Sequence, residues 1–521
     1  MIDKTASLKR IVTAVLVFAS SLGSLSHAQT SSRLPPAPTL SVTSRLVVLD
    51  VVVTDAKGKP ISKLNKDDFT IVQDGKIRVT HDFEGWTDRP TPDAAPVFDR
   101  YGRPNWGDGV PRTVFVLDEL NTPFDQKAYA AEELKKFLAR QPELLTSPAT
   151  LVSVTYTGLQ TLAPYTRNRD SLLRALAHRP PVLPAAIDKV ELAASSFAML
   201  RQIAMASQGF RTHTNLVWLG TGFPALDPAD FNDPDNAILK KAVEDTINLL
   251  IDARITVDLV DPTPIGDRLV VPNMNVISGL GDSFSAQQLT IGTDPLESQF
   301  SFNTFVNATG GGNYYGRNDL DAAIADTQVR GVDFYTLAYR PPTMPDDGTY
   351  HTISVTMRDP SMVVQTRQGF YSLPELPPTP TLKDLGFDLK LAATGQMTFT
   401  SIGTRITGVS VAEHNSISLN ISIGDNGLQW TRRDSGGDTA KVTVLLVSLG
   451  KNREIQTSTA YDLDLAVQNP GDVSAGHVQF TKQLALNSKS QFIRLIVRDA
   501  SGKIGTADVD TVTLGNLLGH H

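Results

Sequence analysis

Residues 113–117, Thr-Val-Phe-Val-Leu, form an unbroken β-branched and apolar run. That is the pattern of a strand buried on both faces of a sheet. The run stops at Asp118, and Asn121, Thr122 and Pro123 lead into an amphipathic segment in which Ala130, Leu134, Phe137 and Leu138 share one helical face over 127–140. Strands and helices then alternate. Residues 151–156 and 159–162 flank Thr157-Gly158 as a hairpin, 170–177 and 191–207 read as helices, and 215–219 is a second buried strand. A long helix over 237–253 runs into a strand at 255–260, and a helix at 320–329 precedes a strand at 334–339. Residues 261–292 read as a long loop. Such alternation predicts a mostly parallel sheet with helices on both faces, an α/β Rossmann-like unit over 112–341. Ligand groups in these sheets lie outside the carboxyl ends of the strands, where Asp118 and Thr122 are expected.

On either side the hydrophobic period changes to two. Residues 46–55 read as a strand, and 68–73 and 76–79 as strands joined by an Asp74-Gly75 hairpin turn. They make an N-terminal β module over 41–88 that strands in 349–372 could complete. Prolines 90, 92, 96, 104 and 111 mark 89–111 as a linker, and residues 342–372 return to strand pattern. Prolines 374, 377, 378 and 380 make 373–382 a stiff connection. Strands without intervening helices then predict an all-β sandwich over 383–521.

The first 28 residues carry a different pattern. Lys4, Lys9 and Arg10 precede an apolar run from Ile11 to Leu25, and Ser26-His27-Ala28 supplies small residues for cleavage. This is the layout of a secretory signal peptide, followed by a Ser/Pro/Thr-rich linker at 29–40. Removing 1–28 takes away three basic residues and one acid, moving the net charge from −7 to −9. That balance argues against nucleic acid as a partner. No second apolar stretch approaches spanning length, so no membrane span is expected after cleavage. With no cysteine in the chain, thiol catalysis and Cys-ligated metals are excluded, and an exported fold must hold without disulfides.

Several short stretches follow one another in a telling order: Val53-Thr54-Asp55 with Lys57-Gly58 and Asp67-Asp68-Phe69, Asp118 to Thr122, Asn215 to Leu219 with Gly222-Phe223-Pro224, Ala308-Thr309-Gly310-Gly311, Asn318-Asp319-Leu320, Tyr335 to Tyr339 and Arg367 to Tyr371. Together they resemble the bacterial (acidobacterial-type) VWFA-related family, over about residues 40–372. The resemblance implies a von Willebrand factor type A-like (VWA-type) domain. Such domains hold Mg²⁺ or another divalent cation through oxygen ligands on loops after the strands, a chemistry suited to hard cations. Carried over, Asp118 matches the first ligand and Thr122 the last of the first loop. Leu120 stands where a middle hydroxyl belongs, and Gly220-Thr221-Gly222 stands where the family pattern has Thr-Asp-Gly. The implied site is therefore degenerate: Asp118, Asn121, Thr122 and Thr221.

Other motifs are weaker. Gly281-Asp282-Ser283-Phe284 resembles an esterase nucleophile block but has no Asp-x-x-His partner in the chain, so it reads as a Gly/Ser loop. Gly310 to Gly312 lacks a following Lys-Ser/Thr and reads as a helix-ending turn. Trp218 reads as core, and no catalytic residue or bound cofactor is assigned. The expectation is an exported, non-catalytic adhesion or interaction protein in the periplasm, on the cell surface or outside the cell. Its partner would be a protein, docked on the loops after Asp118, Gly158 and Gly220. The alternatives are an extracellular hydrolase, revived by a pocket joining His213 or His178 to carboxylates, and a purely structural envelope component.

Overall fold

The computed structural model describes residues 46–264, 300–372 and 382–509, apart from 86–88, 90, 94, 99–103, 108, 181–187, 211, 227–232, 346, 414, 425–426, 434–436 and 468–476. The expected leader and its linker, the Gly281-Asp282-Ser283 turn and residues 373–381 lie outside the described residues.

The first strand, β1 (Val47–Thr54), buries Val47, Leu49, Val51 and Val53 on one side. A period of two fits a sheet with one covered face. β2 (Phe69–Gln73) and β3 (Lys76–Arg78) form a hairpin around Asp74 and Gly75, both left-handed, as a tight two-residue turn requires. β4 (Thr80–Glu84) and a short hairpin of β5 (Val97–Phe98) and β6 (Pro104–Asn105) follow.

The central unit comprises β7 (Arg112–Asp118), α1 (Phe124–Arg140), β8 (Leu144–Thr155), β9 (Gly158–Asn168), α2 (Arg169–Ala177), α3 (Lys189–Ser207), β10 (Thr214–Leu219), α4 (Asp233–Asp252), β11 (Ile255–Val260), α5 (Phe302–Thr309), β12 (Asn313–Tyr314) and α6 (Leu320–Val332). Its sheet runs β12-β11-β10-β7-β8-β9, parallel except for β9. Every residue of β7 is buried. Val114 and Val116 pack with Leu216 and Trp218 against α3, α4 and α5, while Phe115, Leu117, Val217 and Leu219 face α1, α2 and α6. A strand buried at every position can only be central, with helices above and below.

The chain then returns to the first module. β13 (Tyr335–Tyr339), β14 (Tyr350–Met357), β15 (Val363–Gln365) and β16 (Gly369–Tyr371) complete two facing sheets, ordered β15-β1-β13-β4 and β16-β14-β2-β3. Strands from both ends of the central unit thus share one core of Leu49, Val51, Phe69, Ile71, Tyr335, Leu337, Ile353 and Val355. The α/β boundary expected at 341 needs correction. β13 is antiparallel to β1, Leu49 facing Leu337, and is no part of the parallel sheet. Its polar Thr336 turns outward to the Asp50 carboxylate, which suits a strand covered on one side.

The expectation of strands alone from 383 also needs correction, because α7 (Leu382–Thr394) comes first. Beyond it lie β17 (Thr404–Ala412), β18 (Ser416–Gly424), β19 (Thr431–Arg432), β20 (Asp438–Leu449), β21 (Ile455–Val467), β22 (His477–Ala485), β23 (Phe492–Asp499) and β24 (Ile504–Val509). They form two antiparallel sheets, β17-β18-β22 and β19-β20-β23-β24 with β21 against β20, around Ile417, Leu419, Val444, Leu446, Leu495 and Val497. Met205 of α3 shares a further core with Ala392, Ala393, Phe399, Val447 and Ile496, so α7 is a wedge between the central unit and the last sandwich. Among the described residues no helix is long and apolar enough to cross a membrane.

Candidate functional site

β7 and β10 lie side by side in parallel, with Val116 facing Trp218 and Leu117 facing Leu219. One pairing further on, Asp118 meets Gly220 at the carboxyl edge. Side chains two apart share a face, so Asp118 points to the same side as Trp218, towards α3. The loop after β10 is pressed against it: a Cβ on Gly220 would collide with the Cβ of Asp118 and the Oγ1 of Thr122. Only glycine allows that approach.

The four residues expected at a cation site do come together. Thr221 donates its backbone N–H to Thr122 Oγ1 at 3.0 Å, and its hydroxyl donates to the Asn121 carbonyl at 3.3 Å. The Asp118 carboxylate, however, is turned inward and only 2 % exposed. Its Oδ1 accepts from the backbone N–H groups of Leu120 (3.2 Å) and Asn121 (2.8 Å) and from Asn121 Nδ2 (3.0 Å). Its Oδ2 accepts from Trp218 Nε1 at 2.9 Å and from Asn121 Nδ2 at 3.1 Å. Burial pushes the Asp118 pKa up, and these N–H donors oppose the shift. A carboxylate offers about four lone-pair positions, and here N–H groups take them. A cation could coordinate Asp118 only after Trp218 or Asn121 had withdrawn, so the residues present do not fit the implied metal.

This corrects the expected geometry of the first loop. Asp118 and Thr122 are buried and do not line an open crevice, because the indole N–H of a fully buried tryptophan also requires an acceptor. Trp218 is more than core, and Ser196 of α3 is a further member: its hydroxyl donates to Leu192 O at 2.9 Å and accepts from Asn121 Nδ2 at 3.1 Å. The signal for Trp218 lay in the sequence, a tryptophan inside one buried strand and an acid at the end of another. Nothing in the sequence pointed to Ser196.

Among the described residues, the large hydrophobic side chains exposed at the carboxyl edge are aromatic. Phe124 at the start of α1 is 80 % exposed, Tyr156 after β8 is 52 % exposed, and Tyr315 after β12 is 40 % exposed. Because β12, β7 and β8 run the same way, the three rings stand at one edge of the sheet. The Tyr129 hydroxyl of α1 donates to Asn318 O, which ties the α1 end of this edge to the loop after β12. Glu119, the residue after β7, lies within 3.5 Å of Arg179 Nε and 3.9 Å of Lys127 Nζ. Gly310 ends α5 in the left-handed conformation, as a helix-ending glycine does.

The opposite edge joins the central unit to the first sandwich. Asp50 of β1 receives His213 Nδ1 at 3.0 Å and the Arg254 guanidinium, and Thr336 donates to it at 3.1 Å. Burial works to raise the Asp50 pKa, but Arg254 and His213 outweigh it and hold the carboxyl well below the ordinary range. His213, Asp50, Asp258 and Arg330 line a cavity of about 20 Å³, into the range of a single water. Among the described residues, the His178 ring at the end of α2 meets the Arg174 carbonyl, at 2.7 Å.

No protein-family model matches the chain, and no curated protein matches its sequence. Weak structural neighbours include proximal thread matrix protein 1 from the mussel byssus (10 % identity, 29 % of this chain and 38 % of that one, TM-score 0.21). The SpRpn10 VWA domain overlaps at 11 % identity, 30 % of this chain and 90 % of the domain, with a TM-score of 0.17. The human COPII-coat protein Sec24c overlaps at 11 % identity, 53 % and 45 %, with a TM-score of 0.24. The chain thus spans 38 % of the mussel protein.

Proposed function

We propose that this is an exported, non-catalytic interaction protein that docks a protein partner on the carboxyl edge of a VWA-like α/β unit, without help from a cation. The observation that carries the reading is the row of exposed rings, Phe124, Tyr156 and Tyr315, at the carboxyl edge of a sheet whose central strands β7 and β10 are buried throughout. Aromatic side chains dominate the binding energy of protein interfaces, because each removes a large rigid area from water at low entropic cost. The neighbouring Glu119, Lys127 and Arg179 satisfy one another and leave the rings as the adhesive element. The inward, donor-saturated Asp118 supports cation independence.

The test compares capture of extracellular and envelope proteins by the chain from residue 29 onward with capture by a Phe124→Ser, Tyr156→Ser, Tyr315→Ser variant. Loss of a specific bound protein from the variant, at unchanged Tm and unchanged in EDTA, is the expected result. A bound set that ignores the triple substitution but disappears with EDTA would overturn the reading.

An extracellular hydrolase has one observation in its favour, the His213–Asp50 pair beside a cavity. Weighing against it, that cavity takes about a water, and His213 is buried between two structural units. A His213→Ala variant that folds normally but loses hydrolysis of an extracellular polymer by the native chain would establish that alternative.

A further inference from the structure

Three oxygen atoms from two elements converge on one side-chain nitrogen. Asn121 Nδ2 lies 3.0 Å from Asp118 Oδ1, 3.1 Å from Asp118 Oδ2 and 3.1 Å from Ser196 Oγ. An amide nitrogen has two hydrogens, so three acceptors at nearly equal distance are more than it can serve with linear bonds. Meanwhile the amide oxygen of Asn121 is buried and has no hydrogen-bond partner. Turning the amide over would set that oxygen against a carboxylate, so the nitrogen must face inward. The side chain accepts an orphaned oxygen in exchange for delivering two polar hydrogens to the centre of an oxygen cluster. Oxygen clusters around a carboxylate are what hard divalent cations require, at about 2.0–2.1 Å for Mg²⁺.

We propose that the Asn121 amide nitrogen stands where a divalent cation would sit, so that the loop is closed to metal by its own side chain and one substitution opens it. The inference deepens the cation-independent docking described above and supplies its cause. In the native chain the N–H groups of Asn121 and Trp218 provide the positive ends of dipoles that compensate the buried carboxylate. No ion is needed for that compensation. Replacing the nitrogen by oxygen removes it: in Asn121→Asp two carboxylates face each other beside Ser196 Oγ, and they must share a proton or take up a cation.

Thermal unfolding in EDTA and in millimolar Mn²⁺ or Mg²⁺ tests this, with Mn²⁺ binding followed by electron paramagnetic resonance. The native chain is expected to bind no Mn²⁺ and to keep its Tm. Asn121→Asp should melt lower in EDTA and regain about 5 °C with metal, the shift of a site filled well above its Kd. Asn121→Ala, which clears the position without adding charge, should bind Mn²⁺ more weakly, and Asp118→Asn should abolish both responses. Metal binding by the native chain that is lost in Asp118→Asn would overturn the proposal. So would folded Asn121→Asp or Asn121→Ala protein with no metal response; if neither variant folds, the native arm alone decides. No partner protein is present in these measurements, so their failure leaves docking on the aromatic edge standing, and a failed capture experiment leaves this proposal untouched.

Discussion

Trp218→Phe isolates the contact that turns Asp118 inward. The indole is fully buried, donates to Asp118 Oδ2 at 2.9 Å, and packs its ring 4.7 Å from that of Phe302. Phenylalanine keeps the aromatic packing but removes one N–H aimed at a buried carboxylate. A hydrogen bond to a charged group contributes about 1.5–3 kcal/mol. The smaller ring leaves space that costs about 1–2 kcal/mol more. The expected loss is therefore about 3–4 kcal/mol, a large part of the ~5–15 kcal/mol that holds a domain together. Amide hydrogen exchange of the β7 and β10 peptides reports the α/β unit itself. Combined with Asp118→Asn in a double-mutant cycle, Trp218→Phe should show a coupling of about 1.5–2 kcal/mol. A coupling near zero, or a single-variant cost under about 1 kcal/mol, would mean the indole does not hold the carboxylate, and the inward Asp118 would need another cause.

Two further predictions concern charges set into the joints of the fold. Asp333 caps the carboxyl end of α6, where a negative charge opposes the helix dipole, and burial pushes its pKa up to about 6 despite Arg89. Since the native value exceeds the unfolded one, ionisation costs stability as pH rises through that window. Asp333→Asn should therefore raise the urea midpoint above pH 6 by the equivalent of about 1 kcal/mol, the two-unit shift discounted for partial exposure, and change nothing near pH 4. Asp50 has the opposite sign: its depressed pKa stabilises the native state above the ordinary carboxyl range, and that contribution fades as pH falls below about 4. Asp50→Asn should cost about 3–5 kcal/mol near neutrality by stranding Arg254, and should flatten the acid limb of a midpoint-against-pH curve.

Much of the architecture could be read from residue pattern alone. β7 and β10 are legible as apolar runs, and the end of β7 points to Asp118 and Thr122 as residues of the carboxyl edge. What the pattern withheld was direction. Whether Asp118 looks outward to solvent or inward to α3 is decided by Trp218, a hundred residues away, and by Ser196 on a helix whose sequence is nearly apolar all round. β13 eludes local pattern for a related reason: an apolar strand after a helix fits a parallel sheet locally, and only its antiparallel pairing with β1 places it in the sandwich. α7 carried Leu385, Leu389 and Ala392 at helical spacing, but the prolines before it and the strands after it masked a single short helix.

The wedge formed by α7 makes the last sandwich a fixture, not an appendage. Thr400 donates to the Ala206 carbonyl at the end of α3, Arg201 pairs with Asp388 at 3.0 Å, and the Gly209 backbone lies so close to Thr400 that a methyl group there would overlap it. Severing the chain ahead of Leu382 would bare Met205 to water and leave an oily scar on the side of α3. Whatever this molecule holds on its aromatic edge, a pull on the terminal sandwich reaches the helix carrying Ser196 without crossing a slack tether.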